Sequence, residues 1–130
     1  MSTPSKPSPS FPPPLGEGQG EENQPAITSG KPVREITFGQ AINEALAEEM
    51  RRDPTVFIIG EDVAEAGTPF KVLSGLAKEF GTKRVIDSPI SEAGIAGIGV
   101  GAAMTGMRPV VDIMFGDFIT LTMDQLVNQA

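Results

Sequence analysis

Between Asp87 and Arg108 the sequence SPISEAGIAGIGVGAAMTGM contains one ionisable side chain, Glu92. A lone carboxyl group at the front of an apolar, glycine-rich run is suited to exchanging a proton with a ligand or to accepting a hydrogen bond from one. A second acidic pair, Glu61 and Asp62, directly follows the apolar run VFIIG. Other chemistries are closed to the chain acting alone. With no cysteine there is no disulfide, thiol nucleophile or thiolate metal site. With no histidine, the usual general base of a hydrolytic triad is missing, as are most metal sites.

The elements that would hold these groups can be read from periodicity. Thr37 followed by Gln40 is a capping-box pattern, and Phe38, Ile42, Leu46 and Met50 recur at helical spacing, which predicts a helix ending near Arg52, before Pro54. TVFIIG at 55–60 suits a strand buried on both faces. An amphipathic helix is expected at about 70–80, then a short strand RVID, a glycine-rich helix capped by Ser91, a strand RPVVDIMF from Arg108, and a last helix from about 118. This alternation predicts an α/β fold with a parallel sheet flanked by helices. Ligands of such sheets lie beyond the carboxyl ends of the strands. That rule selects Glu61 and Asp62, then SPISE, then Phe115 to Phe118.

Each candidate has a plainer reading. Glu92 taken alone also suits a carboxylate that complements a helix dipole. Glu61 and Asp62 also suit a solvated turn, and Phe115 and Phe118 core packing. Gly97, Gly99 and Ala102 match G-x-G-x-x-A, but about ten residues separate RVID from Gly97, whereas a dinucleotide-binding turn must follow its strand directly. Gly94, Gly97 and Gly101 instead share one helix face, where another backbone or a flat ligand could approach.

Composition sets the remaining bounds. Eight of twelve prolines lie in residues 1–34, with Ser, Gly, Gln and Glu, so this segment is expected to be a disordered tail. SKPSPSFPPP reads as a linker or as a PxxP ligand. The ordered part is then residues 35–130, a small core. A net charge of -7 without a basic stripe argues against nucleic acid. The N-terminus lacks a signal or transit pattern and no run is long enough to span a membrane, so a cytoplasmic protein is expected.

Across Ile36 to Ala130 the chain resembles the start of the beta chain of thiamine-diphosphate-dependent 2-oxo acid dehydrogenases, the decarboxylating component, within the transketolase-like group. The matching blocks are TFGQAINEALAEEMRRD, VFIIGEDVAEAGTPFKV, RVIDSPISEAGIAGIGVGAAMTGMRPVV and IMFGDF with MDQLVNQA; one departure is Ser88, where Thr is usual. The resemblance implies a pyrimidine-binding fold, here incomplete, because such chains are longer. It implies that Glu92 hydrogen-bonds N1′ of the cofactor's aminopyrimidine and that Glu61 helps relay protons between active sites. Phe118 would lie against the pyrimidine ring, with Ile90 and Met114 as further contacts.

The implied cofactor is thiamine diphosphate, with Mg2+ held by a GDG motif on the partner alpha chain, since no GDG occurs here. The other implied partners are a lipoyl-bearing acyltransferase and a second beta chain. Pyruvate, branched-chain 2-oxo acids and acetoin are all candidate substrates, with MFGDF nearer the acetoin type. Two rivals remain at this level: a transketolase or deoxyxylulose-phosphate synthase relative, and a truncated, inactive chain that serves only as a subunit-binding module.

Overall fold

The computed structural model describes residues 34–130. The expected disordered tail and its PxxP motif lie outside the described residues, except for Arg34.

Helix α1, Phe38–Arg52, begins as its sequence dictates. Thr37 Oγ1 accepts from the Gln40 amide at 3.2 Å, and Gln40 Oε1 accepts from the Thr37 amide at 2.8 Å, so two N–H groups left over by the helix are satisfied reciprocally. Arg51 and Arg52 sit in the last turn, where cations complement the helix dipole. Asp53 then ends the helix in an extended conformation and accepts from the Thr55 amide and hydroxyl.

Strand β1, Val56–Gly60, runs through the centre of a three-stranded sheet of order β2-β1-β3. Its partners are β2, Val85–Asp87, and β3, Arg108–Val111, both parallel to it. Ile58 faces Val85 on one side and Val110 on the other. All five β1 residues are buried, and the side chains divide by the alternation of a strand. Val56 and Ile58 join Met50, Val63, Leu73, Leu76 and Val85 on the α1 face. Phe57 and Ile59 pack with Ile95 on the opposite face. A strand covered on both sides needs apolar residues at every position, which accounts for the unbroken run VFII.

The second helix is shorter than the periodicity predicts: α2 covers only Leu76–Phe80. Thr68 and Lys71 have positive φ, 69° and 59°, and Gly75 is left-handed at 87°, so the chain cannot wind continuously through 70–75. Asn43 of α1 holds this irregular stretch by donating to the carbonyls of Val72 and Ser74 at 2.6 and 3.2 Å. At the amino end of the sheet, the Arg84 guanidinium donates to the carbonyls of Asp53 and Val56 and lies 5.3 Å from the Phe80 ring centroid.

Helix α3, Glu92–Met104, crosses the other face of the sheet. Its close approach is at Gly99, where a Cβ would stand 2.5 Å from Val111 Cγ2. On the face shared by Gly94, Gly97 and Gly101, Gly97 meets Gln125 Cγ at 3.6 Å, Gly94 meets only Ser91 of its own turn and Gly101 has no neighbour within 4 Å. Strand β3 stops at Val111, short of the expected 115. The chain then continues as a 3₁₀ segment, Gly116–Thr122, and a π-helical turn, Gln125–Gln129, in place of the expected α-helix.

Gly60 fixes the spacing of β1 and β3 at their carboxyl ends, since a Cβ there would lie 2.8 Å from both Asp112 Cβ and Val63 Cγ1. Gly60→Ala is expected to lower stability by about 1–3 kcal/mol, the usual cost of forcing a methyl into a filled site. Urea denaturation followed by circular dichroism measures this, and a midpoint equal to that of the parent chain would contradict the packing.

Candidate functional site

Because the three strands are parallel, their carboxyl ends open on one edge. Glu61 follows β1 directly, Ile90 and Glu92 follow β2, and Met114 and Phe118 follow β3. The sheet-edge rule selects Glu61, Ile90, Glu92 and Phe118, the resemblance selects Met114, and the parallel topology assigns all five to one edge of the sheet.

Glu61 is the most enclosed of them, 9% exposed. Its Oε1 accepts from the Ser91 amide at 3.2 Å, a direct link between the loop after β1 and the start of α3. This corrects the expected cap: the Ser91 side chain makes no capping bond to its own helix, and Ser91 has an extended φ of -171°. Glu92 stands half-buried in the first turn of α3, where the helix dipole favours a negative charge.

The aromatic part lies on the segment after β3. Phe118 packs edge-to-face on Phe115, with centroids 5.6 Å apart, and Phe115 in turn on Phe70, at 6.0 Å. These are favoured aromatic geometries. All three rings stay partly exposed, so the expectation of core packing for Phe115 and Phe118 does not hold. Ile90 is 83% exposed, a large apolar side chain with no cover. Met114, half-buried, lines a cavity of about 290 Å3 with Phe70, Thr68 and Asp112.

Two members of this region escape a reading by spacing. Phe70 joins the aromatic row from a loop, where the periodicity predicts the start of a helix. Asp112 is half-buried immediately after β3, beside Gly60, and burial raises its carboxyl above the usual value of 3.8. A signal for Asp112 was present: it is the one charge in the apolar run VVDIMF. Among the described residues no group of three or more His, Cys, Asp or Glu is placed to hold a metal ion. Nor is any described helix long and apolar enough to cross a membrane.

An open parallel α/β domain with three carboxylates and a row of partly exposed phenylalanines after the carboxyl ends of its strands has the layout of a ligand-binding domain whose sheet is covered on both faces. More particularly, residues 34–130 match the model of the transketolase pyrimidine-binding domain, and the chain belongs to that family. Among similar proteins, the pyruvate dehydrogenase E1 component subunit beta of Rhizobium meliloti (strain 1021) is 48% identical over 108 residues, 83% of this chain and 24% of the relative. The 2-oxoisovalerate dehydrogenase subunit beta of Bacillus subtilis (strain 168) is 47% identical over 95 residues, 73% of this chain and 29% of the relative. The mitochondrial pyruvate dehydrogenase E1 component subunit beta of Rattus norvegicus is 43% identical over 117 residues, 90% of this chain and 33% of the relative. The chain thus spans a quarter to a third of the length of these relatives.

Asp112 gives a pH-dependent outcome. A carboxyl group whose folded value lies above its unfolded value holds its proton more tightly when folded, so it costs stability as pH rises through that interval. Asp112→Asn is therefore expected to match the parent chain below about pH 3.8 and to melt at a higher temperature near pH 7. Thermal melts of both chains across this range test it, and an equal or lower melting temperature for the variant at pH 7 would contradict the assignment.

Proposed function

We propose that this chain is the pyrimidine-binding part of the beta chain of a thiamine-diphosphate-dependent 2-oxo acid dehydrogenase. The observation that carries the reading is the placement of Glu92, half-buried in the first turn of α3 and on the same sheet edge as Glu61 and Phe118. The residues present fit an aminopyrimidine. Glu92 offers a carboxyl group able to share a proton with a ring nitrogen, and Phe118 offers a partly exposed aromatic face braced by Phe115. Ile90 and Met114 supply further apolar surface.

Thiamine diphosphate held by Glu92, Phe118, Ile90 and Met114 would supply the nucleophilic carbon that the chemistry of a 2-oxo group requires. The chain's own work is to hold and move a proton. Glu92 carries it at the pyrimidine edge, in an environment drier than bulk water. Glu61, enclosed at 9% exposure, is the second proton carrier, which passes charge between sites. Phe118 keeps the ring plane fixed and excludes water from one face.

In this reading an alpha chain completes the site and holds Mg2+ with the diphosphate, and a lipoyl-bearing acyltransferase receives the acyl group. A second beta chain is the further partner. Helix α3 supports such assembly: it is apolar all round, EAGIAGIGVGAAM, and yet Ile98 and Met104 remain 53% and 78% exposed. The substrate class is a 2-oxo acid such as pyruvate or a branched-chain 2-oxo acid, or acetoin, and the compartment is the cytoplasm.

Glu92→Gln keeps the shape and the hydrogen-bonding reach of the side chain but removes the transferable proton. In the assembled complex with the alpha chain, turnover is expected to fall by about 10²–10⁴-fold, the range for loss of a positioned acid or base. Far-ultraviolet circular dichroism should stay unchanged. A variant within threefold of the parent rate, on the order of 1 kcal/mol or less in the barrier, would sink the assignment.

A further inference from the structure

The loop after β1 and the connection after β2 exchange carboxylates. Glu61 Oε1, from the first, accepts from the Ser91 amide of the second at 3.2 Å. Asp87 Oδ1, from the second, accepts from the Ala64 amide of the first at 2.7 Å. Between them the Ser88 amide donates to the Gly60 carbonyl at 2.9 Å. Each loop thereby satisfies a backbone N–H that the other could not satisfy alone.

We infer that Glu61 and Asp87 form a reciprocal carboxylate clasp that fixes the start of α3 against the end of β1, and that Glu61 is through this clasp a positioning residue for Glu92. Three features lead to this. Ser91 directly precedes Glu92, so an anchored Ser91 amide fixes the backbone from which the Glu92 side chain leaves. The helix has no cap from its own Ser91 side chain, so the anchor comes from outside it. Charge-assisted bonds to a carboxylate are stronger than neutral ones, and the accepting Glu61 is enclosed while Ser91 lies at the surface.

The clasp uses only one oxygen of Glu61. Oε2 takes no part in the bond to Ser91, so the clasp and the proposed proton-carrying role need not compete for the same atom. The positioning of Glu92 rests on the functional reading above, whereas the clasp itself does not.

Amide hydrogen exchange by NMR on the 130-residue chain tests the clasp. Glu61→Met preserves side-chain length without a comparable acceptor, and Glu61→Gln restores an acceptor oxygen without charge. Exchange at Ser91 is expected to be about tenfold faster in E61M than in E61Q. Reciprocity adds a sharper outcome: E61M should also speed exchange at Ala64 by about threefold or more, although the Asp87 acceptor is untouched. Asp87→Leu should in turn speed exchange at both amides, and serves as the second variant if E61M does not fold. Equal Ser91 exchange in E61M and E61Q, or an unmoved Ala64, would overturn the clasp. In the complex with the alpha chain, E61Q is expected to turn over about tenfold faster than E61M, and equal rates would overturn the positioning of Glu92. If the parent complex shows no thiamine-diphosphate-dependent turnover, the functional reading fails while the exchange rates still decide the clasp.

Discussion

The whole arrangement depends on β1 being paired in parallel on both sides and covered on both faces. Its backbone groups are spent on β2 and β3 and its side chains on two opposed clusters, so it has no freedom to shift register by one residue without exchanging the two faces. Everything that leaves its carboxyl end inherits that precision. Gly60 lets β3 come close there, and Glu61 emerges already enclosed, at a point where water is scarce and a hydrogen-bond partner must be found within the protein.

What surrounds that point is irregular. Asp62, Thr68 and Lys71 take positive φ, and Thr68 does so as a buried β-branched residue with a hydroxyl that finds no partner among the described residues. Backbone of this kind persists only where its surroundings over-determine it. Here the restraints are the Asn43 side chain beneath the loop, the Asp87 carboxylate at one end and the edge-to-face contact of Phe70 with Phe115. Rigid strands thus deliver the carboxylates, and a laced loop adds Phe70 to the rings that follow β3.

The regular part of this design is legible in the sequence because it follows local rules. Thr37 and Gln40 announce α1, the four apolar residues of VFII announce a strand covered twice, and the sheet-edge rule leads to Glu61, Glu92 and Phe118 before any geometry is known. The misreadings occur where tertiary restraint outweighs local preference. Residues 70–75 carry a helical pattern but are held in turns by Asn43. Ser91 has the side chain of a cap, but its amide is taken by a carboxylate from the loop after β1, a bond across 30 residues that no local pattern encodes. The resemblance named the chemistry at Glu92, and spacing alone left that residue with two readings.

The pairing of β1 also has a consequence in time. Val56 finds its partner at Arg108, so the central strand leaves the ribosome long before its second neighbour exists. At about 5–20 residues per second, the roughly 50 intervening residues take about 3–10 s to appear. For that interval VFII is a bare apolar strand whose unpaired edge can be claimed by any passing chain, and non-local parallel pairing of this kind is slow even when both strands are present. The nascent chain during those seconds, more than the finished domain, is the species on which chaperones would act.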